Sequence, residues 1–101
     1  MNKELVNITP EMAQEWLNNQ EDNRPIKPEL VDRIANDMAE DTFDRDHTFV
    51  VILNNNNLYY GQHTLAAIVQ RNESYEVYVI TIDKPRMHPR GFLNRKSKYV
   101  R

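Results

Sequence analysis

Cysteine is absent from the 101-residue chain, which excludes disulfides, thiolate metal centres and a cysteine nucleophile. Glycine occurs only at Gly61 and Gly91, and neither a P-loop nor a dinucleotide fingerprint is present. No apolar run approaches the roughly 20 residues of a membrane-spanning helix, so no transmembrane segment and no membrane partner are predicted. The opening Met1-Asn2-Lys3-Glu4 lacks the basic region and apolar stretch of a secretory leader. The expected location is the cytoplasm. Serine and histidine occur outside any nucleophile-elbow context, so a hydrolase triad is not expected. No internal repeat is visible.

What remains is a soluble-type composition, with 40% hydrophobic and 28% charged residues. A chain of this length forms one domain with a modest core. The formal net charge of −2 conceals an asymmetry: residues 1–83 carry all 15 acidic residues against six basic ones, a net of −9, and residues 84–101 carry seven basic residues and no acid. The expected organisation is therefore an acidic domain, 1–83, followed by a basic tail, 84–101, of a kind that more often marks an interaction segment than a uniform surface. Pro85, Pro89, Gly91 and scattered apolar residues predict an irregular or mobile arm.

Hydrophobic spacing divides the domain into elements. Leu5, Val6 and Ile8 suggest a short first strand. Thr9 can cap a helix that Pro10 opens, because the first turn needs no N–H there. Met12, Ala13, Trp16 and Leu17 form one face of that helix, over about 10–20. A polar loop and the bracket Pro25–Pro28 precede a second amphipathic helix, 28 to about 40, with Leu30, Val31, Ile34, Ala35 and Met38 on its apolar face. Four carboxylates between Glu40 and Asp46 lack the alternating ligands and central glycine of a calcium loop. They read as a solvated connector.

Phe49-Val50-Val51-Ile52-Leu53 is a continuous apolar run, expected as a central strand covered on both faces. Asn54 to Asn57 form a turn and Leu58-Tyr59-Tyr60 the returning partner strand. A third helix ends near Arg71, and Tyr75 to Ile82, rich in β-branched and aromatic residues, is the last strand. The fold class is α/β, with a small mixed sheet and three helices.

The chemistry concentrates where Tyr60 meets Gly61-Gln62-His63-Thr64, a strand-to-helix turn. A helix N-terminus offers unpaired N–H groups and the positive end of the helix dipole, glycine admits close approach to the main chain, and His63 can carry a proton near neutral pH. Taken in isolation, such a turn more often serves geometry alone.

The order Gly61-Gln62-His63 followed by Leu65-Ala66-Ala67 resembles the signature of the ParB/sulfiredoxin-like superfamily, whose ParB-like nuclease branch carries an Asp-Gly-Gln-His-Arg-Leu loop at the start of a helix. The likeness covers about residues 5–82. Ile8-Thr9-Pro10 with Ala13 and Leu17, Asn23-Arg24-Pro25, and Val31 with Ile34, Ala35 and Met38 fall in the family's order. Tyr60 stands where the family usually has Asp, Thr64 where it has Arg, and Asp41 replaces a usual glycine before an aromatic residue, here Phe43. The Arg is the residue associated with nucleotide or nucleic-acid phosphate, so its replacement implies a degenerate catalytic loop and little or no nuclease or nucleotidase activity. Without cysteine, the repair chemistry of sulfiredoxin itself is also excluded.

What the resemblance implies is a small phage- or mobile-element-type protein, cytoplasmic in a bacterial or phage-infected cell, that binds DNA or a nucleotide, with a nucleotide and Mg²⁺ as the implied cofactor. The phosphate-binding candidates are Asn23, Arg24, Gly61, Gln62, His63 and Thr64, and His63 is the sole catalytic candidate. His63 either contacts ligand or holds the turn, and Arg24 either grips phosphate or lies solvated on the surface. His47 and His88 stand apart from any ligand pattern and are assigned no function. In the tail, Arg86, Arg90, Arg95, Lys96, Lys98 and Arg101 with Phe92 and Tyr99 suit a nucleic-acid arm, although a solubilising tail, or one that docks on an acidic surface, has the same composition. The rival partner is a host defence or DNA-processing protein, bound and inhibited through the acidic body.

Overall fold

The computed structural model describes residues 2–20 and 24–83. Asn23 and the whole of the proposed basic arm lie outside the described residues. The elements run β1 (Asn2–Ile8), α1 (Pro10–Asn18), α2 (Pro28–Ala39), a 3-10 turn (Arg45–His47), β2 (Phe49–Leu53), β3 (Leu58–Tyr60), α3 (Gln62–Arg71) and β4 (Tyr75–Ile82). The three helices and four strands match the expected class. The strand order is β1-β4-β2-β3, with β2 and β4 parallel and the outer pairs antiparallel, so the sheet is mixed.

Local chemistry accounts for the helix starts. The Thr9 hydroxyl accepts a hydrogen bond from the Met12 N–H at 3.1 Å, and Pro10 occupies the first turn of α1, as the sequence predicts. Helix α1 stops at Asn18, two residues short of the expected end. The C-cap Asn19 donates its side-chain amide to the Glu15 carbonyl, and its own carbonyl accepts the Leu58 N–H at 2.9 Å. Gln20 then bridges to Leu58, so pairing with β3 takes the backbone that further helix would have used. Asp41, where the resembled pattern has glycine, adopts a φ of +59°, the left-handed region that glycine enters without cost.

The core lies between the helices and one face of the sheet. Ile8, Val50, Ile52, Val77 and Val79 point into it and are buried, where they meet Ala13, Trp16, Val31, Ala35, Leu65 and Ile68. Helix α3 touches both α1 and α2. The expectation that β2 is central holds; the expectation of cover on both faces does not. Phe49 and Val51 alternate with buried Val50 and Ile52 and remain half-buried, and of the residues in phase with them only Leu53 at the strand end is buried, outside the main core cluster. The apolar run therefore reflects one packed face and one apolar but unpacked face, a pattern that periodicity alone does not separate from double cover.

Leu65 has no exposed surface and sits on the helix that joins the other two to the sheet. We expect Leu65→Ala to lower stability by about 2–5 kcal/mol, checked as a reduced urea midpoint.

Candidate functional site

Gly61 begins the site. It is the N-cap of α3 with φ +114°, and a Cβ built there would lie 3.1 Å from both Val50 Cα and Val50 Cγ2 and 3.4 Å from the Phe49 carbonyl oxygen. Only glycine permits this turn and this approach to β2 together. The turn delivers Gln62 and His63 to the first turn of α3, and both reach across to the irregular segment before α2. The Gln62 side-chain amide donates to the Arg24 carbonyl at 3.0 Å, and the Lys27 N–H donates to His63 Nε2, also at 3.0 Å. The N-terminal ends of α2 and α3 are thereby held side by side.

Between them and the start of β2 opens a cleft of about 730 Å³, lined by Arg24, Pro25, Lys27, Leu30, Ile34, His47, Thr48, Phe49, Val51, Tyr60 and Gly61 to Thr64. Five of the six residues singled out from sequence meet here: Arg24, Gly61, Gln62, His63 and Thr64. The sixth, Asn23, lies outside the described residues. The Arg24 guanidinium sits 5.8 Å from the centroid of the Tyr60 ring, a cation–π distance. Thr64 is buried and forms part of the wall.

His47, assigned no function from sequence because nothing adjacent pointed to a ligand, is brought to the cleft rim by the 3-10 turn. Its Nδ1 lies 3.0 and 3.1 Å from the two Asp44 carboxylate oxygens, a pairing that orients the ring. The i, i+3 spacing of Asp44 and His47 was the available signal. Lys27 and Phe49 were likewise missed, as parts of elements whose approach depends on tertiary contacts.

Among the described residues, every ionisable side chain that lines the cleft other than Tyr60 is Arg, Lys or His, with the Asp44 carboxylate paired to His47 at the rim, although the domain is strongly acidic. Burial, then the Arg24 and Lys27 charges, hold His63 below its ordinary pKa, so the ring is neutral at physiological pH. Because Nε2 accepts from Lys27, the neutral ring carries its proton on Nδ1. Gln62 is 4% exposed, and its Oε1 has no hydrogen-bond partner. Since Nε2 is fixed on the Arg24 carbonyl, that oxygen calls for a donor.

Among the described residues no three His, Cys, Asp or Glu side chains cluster to hold a metal ion. Among the described residues the donor set of the cleft does not fit a resident Mg²⁺, which takes carboxylate oxygens, and no step through one follows. No helix among the described residues is long and apolar enough to cross a membrane. Compared with protein-family models, curated proteins and solved structures, the chain matches none.

Two predictions follow from this geometry. Gly61→Ala forces an L-residue into an unfavourable φ beside Val50, and we expect a loss of about 2 kcal/mol or more, read as a lower thermal midpoint. His63 has a folded pKa below its unfolded value of about 6.5, so the unfolded state binds the proton first. Its contribution is fully present above about pH 6.5 and is lost as pH falls through the unfolded pKa towards the folded one. Thermal midpoints between pH 8 and pH 5 should fall more for wild type than for His63→Gln, and parallel curves would refute this.

Proposed function

We propose that this chain is a ParB/sulfiredoxin-like domain with a degenerate catalytic loop, and that its cleft binds the phosphate of a nucleotide or of nucleic acid. The observation that carries the reading is the segregation of charge: Arg24 and Lys27 line one cleft beside the neutral donor His63, and no carboxylate of the described residues is among its lining, on a domain with a net charge of −9. The backbone at the start of α3 adds unpaired N–H groups and the helix dipole.

Binding, rather than turnover, is the reading that the residues favour. Tyr60 and Thr64 replace the carboxylate and the guanidinium of the motif this loop resembles, and removal of a charge-stabilising donor commonly costs a hundredfold or more in rate. His63 commits Nε2 to the Lys27 N–H, leaving Nδ1–H to donate to a ligand. The basic tail, outside the described residues, serves in this reading as an auxiliary contact with DNA. A second reading, in which an acidic surface engages a host defence or DNA-processing protein, draws on the placement of the described carboxylates outside the cleft.

A thermal-shift series with inorganic phosphate, nucleoside triphosphates and short DNAs, with and without Mg²⁺, tests the proposal. A ligand at a hundred times its Kd stabilises the fold by about 2.7 kcal/mol, enough to raise the midpoint by roughly 10 °C. We expect Arg24→Ala and Lys27→Ala each to weaken binding about tenfold or more. If no anion shifts the midpoint, or if the double variant responds as wild type does, the cleft reading fails. A protein partner that survives the double variant would favour the second reading.

A further inference from the structure

The sheet face opposite the helices has its own composition. Register places Lys3 and Leu5 of β1, Tyr78 and Ile80 of β4, Phe49 and Val51 of β2 and Tyr60 of β3 on it. Among the described residues the apolar core lies on the other side. Leu5 is 46% exposed and Tyr60 55%, while Phe49, Tyr78, Ile80 and Val51 are half-buried.

Two features distinguish this face from an ordinary apolar patch. Phe49 and Tyr78 are direct partners on adjacent strands, with ring centroids 6.4 Å apart, and the Lys3 ammonium stands 5.1 Å from the Phe49 centroid and 4.6 Å from that of Tyr78. The rings thus sit beneath a cation on a long, exposed stem. The face is also continuous with the cleft, because Phe49, Val51 and Tyr60 line both, and the Arg24 guanidinium stands over Tyr60 at the junction.

We propose that this face is a stacking platform for the bases of single-stranded nucleic acid, with the cleft receiving a phosphate at one end of the bound strand. The inference rests on the cleft reading only for that end contact. Aromatic side chains on a four-stranded sheet stack on unpaired bases, which duplex DNA keeps within its own stack. Lys3 swings from the rings to a backbone phosphate when a base takes its place, so the charge stays complementary. Glu76, on the same face beside Asn7, accepts from Arg45 Nε through its carbonyl, and its carboxylate bounds the platform at the start of β4.

The experiment compares a ten-residue oligothymidylate with an abasic strand of equal length and charge, and with a duplex, by fluorescence anisotropy on the full chain. We expect the thymidylate to bind about tenfold or more tighter than either, because stacking contributes per base. Tyr78→Leu, which keeps apolar bulk and lies outside the cleft, should remove most of that preference while leaving phosphate-dependent thermal shifts as they are. Lys3→Ala should weaken all strands and flatten the salt dependence.

Equal affinity for thymidylate and abasic strand overturns the platform, as does no strand binding in a protein whose cleft binds phosphate. If base preference depends on Tyr78 but phosphate and nucleotides bind nowhere, the platform stands and the cleft reading falls. Self-association that Tyr78→Leu abolishes, without strand binding, would make the face a contact between copies and overturn the proposal.

Discussion

Two hydrogen bonds tie the first turn of α3 to the segment that enters α2, one from Gln62 to the Arg24 carbonyl and one from the Lys27 N–H to His63. They join positions 38 and 36 residues apart in sequence. The segment they hold contains Pro25 and is followed by Pro28, and proline has no N–H to donate. The placement of Arg24 and Lys27 therefore depends on α3. The placement of α3 depends in turn on Gly61, whose positive φ and 3.1 Å approach to Val50 would strain any residue with a Cβ. A single backbone conformation thus sets where the cationic wall of the cleft stands.

That arrangement is electrostatically self-consistent. Arg24 and Lys27 lower the pKa of His63, in addition to the effect of burial, and a neutral ring is what the Lys27 N–H requires as an acceptor. The cations that define the cleft thereby help preserve the bond that positions one of them. Were His63 protonated, Nε2 would become a donor facing a donor, and the two segments would lose a link. An anion in the cleft would relieve the repulsion among these cations, so ligand and fold reinforce each other.

Much of the fold could be read from local signals, and the reasons are specific. Thr9-Pro10 fixed the start of α1, and the apolar spacing of α2 and the β-branched run 75–82 fixed elements whose identity does not depend on partners. Failures arose where tertiary pairing competes with propensity: α1 yields Asn19 and Gln20 to β3, and β2 leaves one face without helical cover. The cleft was partly legible because Gly61 to Thr64 are contiguous. His47, Lys27 and Phe49 come from three separate elements, and only the packing of α2 and the 3-10 turn against β2 and α3 brings them to the same rim.

Tyr60 and Thr64, which differ from the motif that this loop resembles, bear on each other. Thr64 is 3% exposed in the wall of the cleft, so a guanidinium at that position would have to extend into the cavity itself. In this chain the positive charge comes from the opposite wall, through Arg24 and Lys27. A carboxylate at position 60 would lie beside Arg24 and offset its charge at short range, whereas the Tyr60 ring supports the guanidinium through its π face and adds no negative charge. Thr64 in the wall and Tyr60 beneath Arg24 are therefore compatible with each other: neither adds a charge that would compete with the Arg24 and Lys27 side chains. If the cleft binds an anion as proposed, these two positions leave it beside an aromatic surface rather than beside a carboxylate.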